Sequence, residues 1–244
     1  MQIFTLSQSN FKSAAMAKYK EIVSMVLDML KVKSDDSTFT EEHIIFLAGR
    51  YRSFLLKQRY YSDIKKEVPE SNYQTLCLDL EPVEAIEGFP CEGGYYLRTT
   101  KEVPPTMPVG TTRLYTSGSY YKGDITFVSK DRMKYVGNNK WMQNMIYACL
   151  DPSNRIYLTS SNPQFIYLQQ AKLNGIFENA EEAAELSCDD SADASCDILD
   201  KEFPLEDALI SPLIELITQE LSPSITAPED KENNADDDLS PTAR

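Results

Sequence analysis

The sequence is poor in the residues and motifs from which most catalytic sites are built. Its 244 residues include one histidine, His43, and no G-x-x-x-x-G-K-[ST], G-x-G-x-x-G or G-x-S-x-G motif. A histidine-dependent triad would have to use His43, whose place in the first turn of a predicted helix suits a surface or capping residue. Carboxylate pairs such as Glu181-Glu182 lie in an acidic C-terminal region, whereas acid–base catalysis needs carboxylates held in a pocket. These deficits predict a protein that is not an enzyme and that needs no cofactor or metal.

Cysteine and long hydrophobic runs are scarce as well. The five cysteines have irregular spacing and form no C-x-x-C motif, which favours free thiols in a reducing compartment over a disulfide framework or a zinc site. No segment approaches the roughly 20 apolar residues of a membrane span, and the N-terminus lacks the layout of a signal peptide. We therefore expect a soluble protein made in a cytoplasm, with no membrane partner.

Charge is divided unevenly along the chain. The formal net charge is −14, but residues 178–244 contain 20 acidic and 3 basic residues, a net charge of −17. Residues 1–177 hold the other 18 acidic and 21 basic residues, so their net charge is +3. An acidic block of this kind is typical of a solvated segment or an interaction tail.

Apolar periodicity predicts a helical hairpin in residues 1–67. Apolar side chains recur at 3-4-3 spacing from residue 16 to 31, and a second amphipathic pattern runs to about Tyr60. Thr38 and Glu41 have the spacing of a capping box at the start of the second helix.

The period changes after Pro69, and residues 68–177 read as a β-rich insertion. Short segments rich in Tyr, Ile, Val and Thr alternate with Gly, Pro, Asn and Asp turns, which is typical of a small antiparallel sheet, sandwich or barrel. The predicted strands are 76–80, 95–99, 113–116, 124–129, 145–150, 155–159 and 164–169, with one helical turn within 129–136.

The remaining residues read as helices, an acidic loop and a tail. A short helix at 179–186 precedes an acidic loop at 187–200, and a helix with a leucine face spans 203–221, where Pro212 should kink it or start a second helix. Residues 222–244 form an acidic tail that is flexible or ordered by a partner. Because the last helix must cover its leucines, we predict an α+β fold in which both chain ends form one helical bundle around the inserted β domain.

Three groups of residues are candidates for protein interfaces. A basic run along the second helix and the following loop suits either an acidic protein partner, such as the acidic tail of a neighbouring subunit, or a solvated helix face. Paired tyrosines and the leucine face of the last helix suit contacts between subunits. The candidates are Arg50, Arg52, Lys57, Arg59, Lys65, Lys66, Tyr95, Tyr96, Tyr120, Tyr121, Leu213, Leu216 and Ile217.

Several whole segments together resemble one protein family. They are residues 20–23, 41–47, 51–60, 62–67, 71–74, 160–165 and 196–205. In these segments, and over most of residues 16–221, the chain resembles the neck or adaptor ring proteins of crAss-like, short-tailed phages. The resemblance implies a helical bundle with an inserted β domain, and no catalytic or cofactor-binding residues.

The resemblance also implies partners and a location. It implies a ring, usually of twelve copies, that joins the portal protein to other neck or tail ring proteins of the virion, after assembly in the host bacterial cytoplasm. DNA would pass through the ring without specific binding, and an acidic lining would repel its phosphates. The alternative function is nucleic-acid binding by the basic face of residues 50–66, which predicts strongly salt-dependent affinity.

Overall fold

The computed structural model describes residues 16–33, 39–61, 67–83, 96–116, 123–133, 135–136, 139–188 and 197–225. Its helices and strands confirm the mixed α+β class. The helices are α1 (Tyr19–Lys33), α2 (Glu41–Tyr60), α3 (Lys130–Met133), α4 (Ala180–Glu185) and α5 (Asp207–Ile225). The strands are β1 (Gln74–Val83), β2 (Tyr96–Thr99), β3 (Arg113–Thr116), β4 (Gly123–Phe127), β5 (Ile146–Leu150), β6 (Ile156–Ser160) and β7 (Gln170–Gly175).

The three long helices share one hydrophobic cluster. Val26 of α1, Leu56 of α2 and Leu213 of α5 are fully buried in it. Helices α2 and α5 are antiparallel: the Tyr51 hydroxyl near the middle of α2 donates to Glu220 near the end of α5, 2.5 Å away, whereas the Tyr60 hydroxyl at the end of α2 donates to Glu206, just before α5, at 2.8 Å. The cluster shows how the apolar stripes of helices that lie before and after the barrel in sequence are covered.

The N-terminus of helix α2 lies one turn before its first buried residue and is capped by a threonine side chain. Its N-cap is Thr40, whose hydroxyl oxygen accepts a hydrogen bond from the His43 backbone N–H at 3.4 Å. The capping box predicted from Thr38 therefore named the wrong cap residue. His43 itself is exposed in the first turn, as the sequence predicted.

The seven strands close into a barrel in the order β1-β2-β6-β5-β4-β3-β7. Neighbouring strands are antiparallel except β4 and β5, where Thr126 and Phe127 pair in parallel with Tyr147 and Ala148. The prediction of a wholly antiparallel domain is therefore wrong. The reason is parity: strand directions cannot alternate all the way round a closed ring of seven, so at least one neighbouring pair must be parallel.

The barrel has side chains packed on both of its faces. Its interior is filled by apolar residues that include Leu97, Leu158 and Leu173. A second cluster lies on another face of the same strands, with Tyr147, Cys149 and Met133 among its buried members. Because successive residues of a strand point to opposite faces, Ala148 of β5 belongs to the first cluster and its neighbours to the second.

Two sequence predictions around the barrel and helices are corrected. Residues 164–169 do not form a strand: a 3₁₀ helix spans Pro163–Tyr167, and the Asn162 side chain caps it by accepting from the Gln164 N–H at 3.0 Å. The seventh strand is β7, which pairs with β1 and β3. Helix α5 starts at Asp207 and continues through Pro212, so no second helix begins there.

Candidate functional site

Arg52 holds the junction between the helices and the barrel. Its side chain is fully buried, and its guanidinium donates to three backbone carbonyls: Nε to Pro204 at 2.7 Å, Nη1 to Phe177 at 2.9 Å and Nη2 to Asn72 at 3.2 Å. Burial lowers the pKa of Arg52 to about 10. Arg52 is therefore an internal structural residue, and its assignment to an external interface is corrected.

Asn72 is a second junction residue, and the sequence analysis did not identify it. It is fully buried in a 3₁₀ turn, where its backbone carbonyl accepts from Arg52 and its side-chain Oδ1 accepts from the Glu206 backbone N–H at 2.9 Å. The chain entering the barrel is thus tied to the chain entering α5. Asn72 lies three residues after Pro69 in a segment typical of a turn, and nothing in its local sequence indicates this contact.

Two further cations of α2 are used within the subunit. Lys57 Nζ lies 2.9 Å from Glu178 Oε1, and both side chains are about half exposed. Arg59 Nε lies 3.3 Å from Glu206 Oε1, which also accepts from the Tyr60 hydroxyl at 2.8 Å. Two of the six residues of the predicted basic face are therefore paired with carboxylates of the same chain, which weakens the nucleic-acid alternative.

Arg50 differs from the other described basic residues of α2. It is exposed and forms no ion pair with any part of the chain that the structure describes. Phe46 and Phe54, one turn to either side, are 62% and 54% exposed. These three residues form an exposed stripe on α2, hereafter the α2 stripe, of the Arg and aromatic types that are enriched in protein interfaces.

The other predicted interface residues fall into two groups. Tyr96, Leu213 and Ile217 are buried in the subunit core and Leu216 is half-buried, so the first three do not form an exposed surface. Lys65, Lys66, Tyr95, Tyr120 and Tyr121 lie outside the described residues. The spacing of Leu213 and Ile217 correctly marks an apolar face, but that face packs on α1 and α2.

A second exposed apolar surface lies beside the barrel and was missed by the sequence analysis. Trp141 and Tyr167 are 88% and 81% exposed, and Met142 and Met145 are each at least 40% exposed. Asn162 Nδ2 donates to Asn144 Oδ1 at 3.1 Å, which joins the turn that carries the methionines to the 3₁₀ helix that carries Tyr167. The lone tryptophan of the chain, in a polar turn, was the available signal.

A groove of about 1290 Å³ separates the end of α2 from the barrel. Tyr60, Tyr73, Gly110 and Arg113 are among its lining residues. Gly110 has a φ of +72°, and a Cβ there would collide with the Tyr73 hydroxyl, which accepts from the Thr111 N–H at 3.1 Å. Its lining also includes Glu67 and Glu70, but no histidine, cysteine or lysine is among the described residues that line it.

The prediction of free thiols is confirmed for Cys149 and wrong for Cys77 and Cys188, whereas Cys91 and Cys196 lie outside the described residues. Cys77 of β1 and Cys188, just after α4, form a disulfide, with their Cα atoms 5.0 Å apart. A backbone bridge between Leu76 and Ser187 places the two chain segments side by side. Because the two cysteines are separated by 111 residues in sequence, their spacing does not indicate this pairing. Cys149 is free and buried, and desolvation raises the pKa of its thiol to about 11, so it is not an activated nucleophile.

The described residues also lack two kinds of feature. In the parts of the chain with described structure, no three His, Cys, Asp or Glu side chains cluster as metal ligands would. No helix in those same parts is long and apolar enough to cross a membrane.

Comparison with known proteins defines the class. The family model described as Phage tail ring protein 2 matches residues 21–239, nearly the whole chain. The chain therefore belongs to this family of phage ring proteins, which confirms the resemblance to crAss-like phage ring proteins. It is also 53% identical over 226 residues to Ring protein 2 of Bacteroides phage crAss001, covering 93% of this chain and 99% of that protein.

Proposed function

We propose that this chain is a ring-forming adaptor of the virion that joins the portal to the tail and surrounds the DNA exit channel. The observation that supports it best is the 53% identity to a ring protein over almost the full length of both chains. In this role the chain binds copies of itself, the portal protein and other neck or tail ring proteins, with twelve copies in the ring, and performs no catalysis.

The surface of the subunit suits such a role. The α2 stripe and the exposed surface formed by Trp141, Met142, Met145 and Tyr167 are apolar areas at separate places on one chain. Exposed apolar areas favour protein contacts. The acidic residues of the C-terminal part give that region the same sign as DNA phosphates. Packaged DNA would therefore pass an acidic lining without being held.

Cryo-electron microscopy of the purified chain, alone and mixed with portal protein, tests the proposal. We expect closed rings with an axial opening, stacked on the portal when it is present. Native mass spectrometry that detects only monomers in both samples would contradict the proposal. A gel shift at low salt distinguishes the nucleic-acid alternative, because only that alternative predicts tight, salt-dependent retention of DNA.

A further inference from the structure

We propose that the α2 stripe is one half of the contact between neighbouring copies in the ring. The other half is the seam between α1 and α5, where Met25, Met29 and Glu215 lie. This inference rests on the proposed ring and adds the residues that build its subunit contact. Both patches are exposed, the seam lies on the side of α5 away from α2, and the two patches have complementary chemistry.

The α2 stripe is the centre of the solvent face of its helix. Phe46, Arg50 and Phe54 are spaced four residues apart, so their side chains follow one side of α2. Ala48 and Leu55, which lie on the other side of the helix, are buried. The stripe therefore points away from the hydrophobic cluster that α2 shares with α1 and α5, and no described residue covers it.

The seam offers a patch of different chemistry. Met25 and Met29 are one turn apart on α1 and are 49% and 48% exposed. The Thr218 hydroxyl of α5 lies 3.9 Å from the Met29 sulfur, which places this methionine against α5. Glu215 lies three residues before Thr218, is exposed, and forms no ion pair with the described residues.

Helix α2 and the seam residue Met29 contact opposite sides of α5. Glu220 of α5 accepts from Tyr51 of α2, whereas Thr218, two residues earlier, faces Met29. Two residues along an α-helix correspond to a rotation of roughly 200°. The seam therefore faces away from α2, so one patch of a copy can meet the other patch of the next copy, as a closed ring of identical subunits requires.

The chemistry of the two patches is complementary. Methionine sulfur packs favourably against aromatic rings. The methionine side chains of the seam are flexible and the phenylalanine rings of the α2 stripe are flat, so the two can pack together on shallow surfaces. Arg50 and Glu215 carry opposite charges, which would steer the copies into register and exclude a symmetric pairing of two α2 stripes. Because both halves belong to the same chain, a second copy is the occupant that the surface fits.

Charge reversal and its rescue test the contact. In the full-length protein, Arg50→Glu and Glu215→Arg should each lower the ring population in native mass spectrometry by about tenfold or more, because each places like charges at the contact. The double variant should restore rings to within about threefold of the wild type, since the pair is only inverted. Lys101→Glu, an equal charge change on an exposed residue beside the barrel, is the matched control and should leave the rings unchanged.

A second variant probes the apolar part of the same contact. Phe54→Ser removes an exposed ring without a core cavity, so it should reduce ring formation while leaving the circular dichroism spectrum and the Tm of the subunit unchanged. The same samples are measured with portal protein.

The outcomes separate this inference from the proposed function. Wild-type protein that forms no ring, alone or with portal, contradicts the proposed function. If Arg50→Glu forms rings as the wild type does, or if the double variant does not recover them, the inference about the contact is overturned, while the proposed ring stands. Loss of portal binding with intact rings would also overturn it, because the stripe would then contact another protein.

Discussion

The barrel and the three long helices hold themselves together in different ways. The barrel closes its backbone hydrogen-bond ladder on itself and adds a disulfide, so its strands satisfy one another. The helices satisfy their own backbones and are attached to the barrel through the buried polar contacts of Arg52 and through apolar residues, Met107, Val109 and Ile176, that share the helical cluster. Among the described contacts between the two regions, Arg52 is therefore the most buried polar link of the helical part, which carries the α2 stripe.

The largest expected effect comes from breaking this attachment. Arg52→Met should lower the free energy of unfolding by about 4 kcal/mol, because three buried carbonyls lose charged donors. Urea unfolding followed by circular dichroism measures the change. Arg50→Met is the matched control and should change stability by less than about 0.5 kcal/mol, since Arg50 is exposed. An equal loss of unfolding free energy in Arg52→Met and Arg50→Met would show that the buried contacts of Arg52 do not stabilise the junction.

The second effect tests what stabilises the barrel. The Cys77–Cys188 disulfide closes a segment with a sequence separation of 111, so Cys77→Ser should cost about 3 kcal/mol. Thermal unfolding with and without a reducing agent measures it: the reducing agent should lower the Tm of the wild type and leave that of the variant unchanged. A wild-type Tm that ignores the reducing agent would argue against a stabilising disulfide.

A smaller effect returns to the helical side and depends on pH. Burial, followed by the hydrogen bond to Glu206, raises the pKa of Tyr60 to about 12. The unfolded chain loses this proton near pH 10, so the contribution of Tyr60 is complete below pH 10 and is lost as the pH rises towards about 12. Tyr60→Phe should therefore be less stable by about 1 kcal/mol at pH 8, and the difference should vanish at high pH.

Paired urea titrations of wild type and Tyr60→Phe across this pH range measure that difference. Because the other tyrosines are present in both proteins, their ionisation cancels in the comparison. A difference that stays constant up to pH 12 would contradict the assigned hydrogen bond.

The smallest effect concerns the exposed ion pair between Lys57 of α2 and Glu178. Lys57→Ala should destabilise the protein by about 0.5 kcal/mol or less, because Lys57 and Glu178 are both about half exposed and the pair is screened by salt. A double-mutant cycle with Glu178→Ala, at low and high salt, isolates the pair. A coupling energy as large as the effect of Arg52→Met would show that Arg52 is not the dominant polar link between the helices and the barrel.

Regular apolar patterns and turn residues predicted most of the helices and strands. Apolar 3-4-3 spacing located α1 and a second amphipathic pattern located α2, while short β-type segments between turn residues located β2, β3, β5 and β6 to within a residue or two at either end. Strand β7 was not predicted, because its sequence QAKLNG has no β-branched residue. The preceding segment, which is rich in Phe, Ile and Tyr and was predicted as a strand, forms a 3₁₀ helix. Tertiary pairing with β1 and β3 overrides local β propensity there.

The interface candidates show the limit of reasoning from residue type. Arg50 and Arg52 look equivalent in the sequence, yet one is exposed between two phenylalanines and the other is fully buried. Two residues correspond to more than half a turn of helix, so the side of α2 that meets the barrel decides which arginine is internal. That side is set by Phe177, Asn72 and Pro204, which are distant in sequence.

The sequence alone determined the composition-dependent properties: an acidic C-terminal region, helices with apolar stripes, a β-rich insertion, and the family resemblance carried by whole segments. These depend on local spacing and on residue identity. The tertiary structure decided the barrel closure with its parallel pair, the Cys77–Cys188 disulfide and the opposite fates of Arg50 and Arg52. Each of these depends on which distant segments become neighbours, because strand parity, disulfide geometry and side-chain burial are properties of the folded arrangement.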